Sequence, residues 1–262
     1  MANLSARVLC PELLDQGRAS DDEVRRSLLD LRRINRLFGG RRVLLETLAQ
    51  EVSRYGIARF SVLDIASSSG DLPLAILDWA QQQQLETQVF ALEYWHRHLA
   101  LFQSDFKGRP HLHPICADVF HAPFPDRAFD FVTCCLFLHH LTEGQAIALL
   151  SSMRRWARCA IIVIDLERRP FPYYFFRLFS RAFTTSVVSR RDGVTSFKQC
   201  FRKEELERIA KQAGLERCTV ERRWPFRLLL ISEMSGKMDD ALSCRSDAAR
   251  PGEDYLVEEI KR

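Results

Sequence analysis

Val62-Leu63-Asp64-Ile65-Ala66-Ser67-Ser68-Ser69-Gly70-Asp71-Leu72-Pro73 is the stretch on which the fold turns. An apolar run ending at Asp64-Ile65 reads as a buried strand, small residues follow to Gly70, and Asp71-Leu72-Pro73 open a helix. Small residues let backbone approach a ligand closely. The unpaired N–H groups of the turn and helix start then face whatever is bound. A dinucleotide fingerprint wants G-x-G-x-x-G/A, and its places here fall on Ala66, Ser68 and Asp71. Asp71 would set a negative charge against a pyrophosphate. It suits a ligand with ammonium, sulfonium and hydroxyl groups instead.

Outward from this stretch the chain alternates short apolar strands with helices. Strands are expected at Phe60–Ile65, Gln88–Leu92, His113–Ala117, Phe129–Cys135 and Cys159–Ile164, with helices at 71–84, Trp95–Phe106 and Glu143–Ala157. Near-continuous apolar strands separated by helices predict a parallel sheet covered on both faces. A helix at 202–213 and two strands parted only by Trp224-Pro225 end the pattern, and strands so close must pair antiparallel. The expected fold is α/β and Rossmann-like: a seven-stranded, mostly parallel sheet with a C-terminal antiparallel hairpin. Before it, residues 1–20 read as irregular and 21–56 as two helices, the first capped by Asp21 or Asp22. The main domain runs over 57–234 with an aromatic and basic insert at 168–200. Residues 235–262 read as a loose tail.

Composition bounds the rest. The chain has 262 residues, 47% hydrophobic and 27% charged, which excludes wholesale disorder, collagen and a coiled-coil rod. Its longest apolar runs, such as Cys159–Ile164, are far short of the ~20 residues of a spanning helix. Arg7 and Glu12 interrupt any signal-peptide core, so a cytoplasmic location is expected. The net charge of +4 is too weak to imply nucleic acid, and the arginines fall in scattered pairs that read as solvated helix faces. Eight cysteines show no C-x-x-C or zinc spacing, so reduced thiols and no metal centre are expected.

Three further signals follow the first. Glu93 ends the second strand, where an acid can accept hydrogen bonds from ribose hydroxyls. Ala117-Asp118-Val119 ends the third. Then Ala122-Pro123-Phe124-Pro125-Asp126-Arg127-Ala128-Phe129-Asp130-Phe131-Val132 leads into Leu136-Phe137-Leu138-His139-His140-Leu141. Together these residues resemble the class I S-adenosylmethionine-dependent methyltransferases, in particular the small-molecule branch with "LDVGCGTGD", "LPFPDGSFDVV" and "LHHL" signatures. The resemblance covers roughly residues 22–233. Residues 31–42 and 190–206 are similar to a bacterial subgroup associated with polyketide or quinone-like secondary metabolism.

The resemblance implies S-adenosylmethionine as cofactor. Asp64, Ala66, Ser67, Ser68, Gly70 and Asp71 would form the loop under its methionine part. Glu93, with Tyr94 beside it, would bind the ribose. Asp118 and Val119 would meet the adenine, and Cys134 and Cys135 would line the sulfonium side. Ser68 stands where the family usually has glycine. A positive φ there would cost serine ~1–2 kcal/mol, which keeps a non-catalytic cofactor-binding protein in view.

Histidine's ordinary pKa near 6.5 suits proton removal from a phenol, so His139 and His140 are the candidate catalytic bases, against a plain structural role. Glu93 and Asp118 could likewise be a strand-end acid and a turn cap. The insert Phe171-Pro172-Tyr173-Tyr174-Phe175-Phe176-Arg177-Leu178-Phe179 reads as core helix, as a lid in which Phe171, Tyr173, Tyr174 and Phe175 cover the acceptor, or as a membrane-surface patch. The expected partner is a hydrophobic, phenolic or quinone-like small molecule. An RNA or protein methyltransferase is a rival; an RNA or DNA enzyme would need a coherent basic face, which arginine pairs spread over the whole chain do not show.

Overall fold

The computed structural model describes residues 4–234; the tail expected at 235–262 lies outside the described residues. Two helices, α1 (Asp21–Leu37) and α2 (Gly40–Tyr55), precede the sheet. Ser20, not Asp21 or Asp22, caps α1: its hydroxyl accepts the Glu23 N–H at 3.3 Å. The acids stay in the first turn, where they complement the helix dipole.

The sheet holds β1 (Arg59–Ile65), β2 (Glu86–Glu93), β3 (Leu112–Cys116), β4 (Phe129–Cys135), β5 (Ala157–Leu166), β6 (Cys218–Arg223) and β7 (Arg227–Glu233) in the order β3-β2-β1-β4-β5-β7-β6. The first five run parallel. β7 pairs antiparallel with both β5 and β6; the expected antiparallel hairpin of β6 and β7 is closed by Trp224, Pro225 and Phe226. Between them run α3 (Asp71–Gln82), α4 (His96–Leu101), α5 (Gln103–Phe106), α6 (Glu143–Trp156), α7 (Pro170–Phe179), α8 (Val187–Gln199) and α9 (Lys203–Gln212).

Alternation along the strands sends Leu63, Phe90, Val132 and Ile161 to one face and Val62, Val89, Phe131 and Ile162 to the other. The first set packs on Leu149, Leu150 and Met153 of α6 and Ile209 of α9. The second packs on Leu44 and Leu48 of α2 and Ile76 of α3. Both faces are therefore dry, and truncating a fully buried ring such as Phe131 to alanine costs ~3–5 kcal/mol.

Two local expectations change. The helix over Trp95–Phe106 breaks into α4 and α5, because Phe102 leaves helical geometry and buries against Val24 and Leu28 of α1. The 168–200 insert is two helices: α7 is the aromatic run, and α8 is a polar helix that its residue pattern did not announce. Chain order reverses between β1 and β4, with β2 and β3 on one side and β5 on the other. A ligand of an open α/β sheet sits at the carboxyl end of such a switch point. Among the described residues, no helix is long and apolar enough to cross a membrane.

Candidate active site

A cavity of about 450 Å³ opens at that switch point, over the carboxyl ends of β1, β2 and β4. One wall is made by the loop from β1 to α3. Ala66 and Ser68 both take left-handed backbone, at φ 56° and 55°. The strain foreseen for Ser68 is therefore present, and Ala66 shares it. Hydrogen bonds hold the loop in place: Ser67 N–H to the Leu92 carbonyl at 3.0 Å, Gly70 N–H to the Ser67 carbonyl at 2.8 Å, and Ser68 N–H to Glu93 Oε2 at 2.7 Å. Glu93 Oε1 accepts the Trp95 N–H at 3.0 Å, so this buried acid ties two loops together. Glu93 lines the cavity, with His98 Nδ1 3.3 Å from its Oε1.

Asp64 ends β1 fully buried and accepts the Thr133 hydroxyl at 2.6 Å; burial nonetheless pushes its pKa up to about 7. Asp71, raised by burial as well, accepts Asn35 Nδ2 at 3.2 Å. Asp118 caps its own turn through the Phe120 N–H at 2.9 Å. That bond and His121 hold its carboxyl below the usual range. Capping and cavity lining coexist at Asp118, so the two readings of this residue do not exclude each other.

The opposite wall is assembled from distant parts of the chain. After β4, Leu138–His140 form a single 3-10 turn. His139 is buried. Its N–H reaches Asp165 Oδ2 at 2.9 Å and its Nδ1 meets Asp165 Oδ1 at 2.7 Å. Burial opposes the charge on Asp165, but His139 outweighs it and holds the pKa below the ordinary value. Nδ1 is therefore the donor, and Nε2 is left toward the cavity.

The N-terminal segment crosses this wall. Arg7 donates to the His139 and Leu141 carbonyls at 2.7 and 2.6 Å and to the Gln199 carbonyl, and lies 3.8 Å over the Phe201 ring. Asp192 of α8 receives the Leu13 and Leu14 N–H groups at 2.8 and 3.0 Å. Glu12 is thereby held within the wall, bonded by Ser196 Oγ at 2.5 Å and 3.7 Å from His139 Nε2.

His140 pairs with Asp15 at 2.7 Å. Burial opposes its charge, but the bond to Asp15 and the carboxylates of Glu12, Asp15 and Asp165 raise its pKa to about 9. At neutral pH this makes it a cation with no site for a further proton, which leaves His139 as the candidate base. Glu12, His139 and His140 bring ligand atoms within 4.8 Å of one another. The two rings lie 4.3 Å apart with planes 33° from parallel.

Asp64, Ala66, Ser67, Ser68 and Asp71 meet around the cavity, joined by Glu93, Tyr94, Asp118, Val119, Cys135 and both histidines. Two expected site residues do not. Cys134 points the other way along β4, into the core beside Val132, and burial raises its thiol far above the thiolate range. Gly70 shapes the loop from behind: at φ 73° a Cβ there would sit 2.5 Å from the Phe106 ring. The lid is corrected too. Phe175 and Phe176 face the cavity, Tyr173 is core and Phe171 is exposed.

Sequence reading missed Glu12, Asp15, Asn35 and Phe38, Asp192 and Ser196 on α8, and the buried Arg227. The signals available were the subgroup-like stretches, 31–42 around Asn35 and Phe38 and the RRDG stretch at 190–193 in α8. Gly193 is required because a Cβ would lie 2.2 Å from Phe176.

The family described as "Methyltransferase domain" matches residues 62–160. The chain is 28% identical over 183 residues to the ubiquinone/menaquinone biosynthesis C-methyltransferase UbiE of Cupriavidus pinatubonensis, covering 65% of this chain and 72% of that one. Among solved structures it resembles an S-adenosylmethionine-dependent methyltransferase from Aquifex aeolicus. That match has a TM-score of 0.57 at 15% identity, over 83% of this chain and all of that one. It also resembles the magnesium protoporphyrin IX methyltransferase of Synechocystis, with a TM-score of 0.51 at 13% identity, over 75% of this chain and 84% of that one.

Proposed function

The chain belongs to the class I S-adenosylmethionine-dependent methyltransferases, and on that premise we propose that it methylates a hydrophobic, phenolic or quinone-like small molecule in the cytoplasm. The residues present fit the cofactor. Asp64, Asp71, Glu93 and Asp118 line the strand-end wall with carboxyl groups suited to ammonium, sulfonium and ribose hydroxyl groups. Ala66 and Ser68 turn backbone toward it at positions that L-residues avoid. When bound, S-adenosylmethionine supplies an electrophilic methyl group.

The observation that carries the acceptor reading is His139 beside an aromatic surface of the cavity. Asp165 orients its imidazole, while Ile34, Phe38, Phe175, Phe176 and Phe226 provide flat hydrophobic surface nearby. His139 Nε2 takes the proton from the acceptor's hydroxyl, and Asp165 stabilises the imidazolium so formed. Glu12 accepts from Ser196 and Gln199 and stands 3.7 Å from Nε2, where it adds to that stabilisation. The aromatic walls align the acceptor and exclude water, which is most of what an already activated methyl group requires. A ubiquinone/menaquinone enzyme among the relatives supports this acceptor class.

Calorimetry with S-adenosylmethionine, followed by product mass measurement over a panel of phenols and quinols, tests the proposal. The expected result is micromolar cofactor binding and a methyl-group mass gain on an aromatic acceptor. Transfer to RNA or protein substrates instead, with none to any panel member, overturns the acceptor reading.

A further inference from the structure

The outer face of α7 is unusually apolar for a surface. Phe171, Leu178 and Phe179 are 66%, 70% and 55% exposed, and Trp224 in the β6–β7 turn is 75% exposed. These residues form one surface. Phe226 lies 5.7 Å from Phe171, 5.8 Å from Trp224 and 5.4 Å from Phe175, and Phe175 lies 5.3 Å from Phe179. Phe175 and Phe226 also line the cavity, so the aromatic ladder runs without a break from the exterior to the site.

The corner between α1 and α2 completes the patch. Leu37 is exposed, Phe38 meets Phe175 at 6.1 Å, and Arg42 donates to the Trp224 carbonyl at 3.3 Å. Exposed arginines flank it: Arg36, Arg41 and Arg42 from that corner, the last 3.5 Å from Glu46, and Arg169, Arg177 and Arg181 along α7 and its end, with Arg169 3.8 Å from Glu167.

We propose that this face docks on an anionic phospholipid bilayer, with Phe171, Leu178, Phe179 and Trp224 entering the interface and the arginines meeting the headgroups. Large exposed apolar patches mark interaction sites. Aromatic side chains beside cationic ones match the layered chemistry of a membrane surface. A second copy of the chain fits poorly, because a self-complementary contact would bring the two arginine sets together. The mouth of the cavity then opens toward the bilayer, so a lipophilic acceptor can pass along Phe226 and Phe175 without crossing water. That last step rests on the proposed function; the docking does not.

Flotation of the purified chain with phosphatidylcholine vesicles, with and without phosphatidylglycerol, tests it. Binding is expected only with the anionic lipid and should weaken with salt. The triple variant Phe171→Ser/Leu178→Ser/Trp224→Ala should lose on the order of tenfold or more, and Arg36→Ala/Arg41→Ala about tenfold. Cofactor affinity should stay unchanged in both, which establishes that they fold. Absence of flotation overturns the proposal, as does undiminished binding by the triple variant. So does a dimer in sedimentation that the triple variant splits, since the patch then belongs to a second copy. If the wild type floats with anionic vesicles but fails to bind cofactor, the docking stands and the functional proposal falls.

Discussion

The two walls of the cavity are built in opposite ways. The proposed cofactor wall comes from three consecutive strand ends between Asp64 and Val119, each carrying its own loop, and apart from Asn35 of α1 on Asp71 its hydrogen bonds join neighbours in the sheet such as Ser68 and Glu93. The proposed acceptor wall draws on Glu12, Phe38, His139, Asp165, Asp192 and Phe226, and its bonds span most of the chain, as from Arg7 to His139 and Gln199. A wall built locally holds one cofactor by a repeated solution. A wall assembled from remote pieces can change its substrate through any one of them.

The sharpest break between the walls should come from His139→Ala. Turnover is expected to fall ~10²–10⁴-fold, with the dissociation constant for S-adenosylmethionine unchanged by calorimetry. His140→Ala should cost far less, because a cation at neutral pH is no base. Equal losses in both variants would assign the pair a structural role.

The mirror experiment is Glu93→Ala. Each charge-assisted bond is worth ~1.5–3 kcal/mol, and the loop also loses its anchor at Ser68 and Trp95. Cofactor affinity should drop ~10–100-fold, while turnover at saturating cofactor changes little. Next in size is Arg7→Ala, which frees the N-terminal segment from three carbonyls. The acceptor KM should rise about tenfold, again without effect on cofactor binding. A joint rise in both constants would show that the walls are not separable.

How far the walls were legible follows from this construction. Asp64, Glu93 and Asp118 could be placed because a strand end and its loop are contiguous in sequence, and the switch point was implied by strand–helix alternation. His139 was singled out through a motif adjoining β4, and the structure places it at the cavity. Glu12 and Asp192 were not, since nothing in a polar segment such as 1–20 states which surface it will cross. The side chains of Cys134 and Cys135 point to opposite faces of β4. Strand periodicity shows that they differ, but only packing decides which one meets the cavity.

A pH titration sharpens the comparison further. With a pKa near 7 in the fold against ~3.9 unfolded, Asp64 favours the unligated fold most below about pH 4, and this contribution is lost as pH rises through 7. Cofactor binding, which prefers the ionised acid beside a cation, should run the other way and tighten a few-fold from pH 6 to 8. Asp64→Asn should flatten that slope in calorimetry; an unaltered slope assigns the titration to another group. The smallest effect is expected from Ser68→Gly. Relief of left-handed strain amounts to ~1 kcal/mol, visible as a slightly higher melting temperature or a few-fold tighter cofactor complex. A loss instead makes the serine hydroxyl a ligand contact.

The strap that carries Glu12 also bears on synthesis. Residues 4–17 leave the ribosome long before α8 and Phe201, the surfaces on which Arg7, Leu13 and Leu14 settle. Contacts this remote are the slowest to close. The nascent chain can therefore form its cofactor wall while the acceptor wall is still open, and methyl-donor binding competence should precede acceptor competence during translation. Stalled ribosomes displaying successive lengths of the chain would reveal that order.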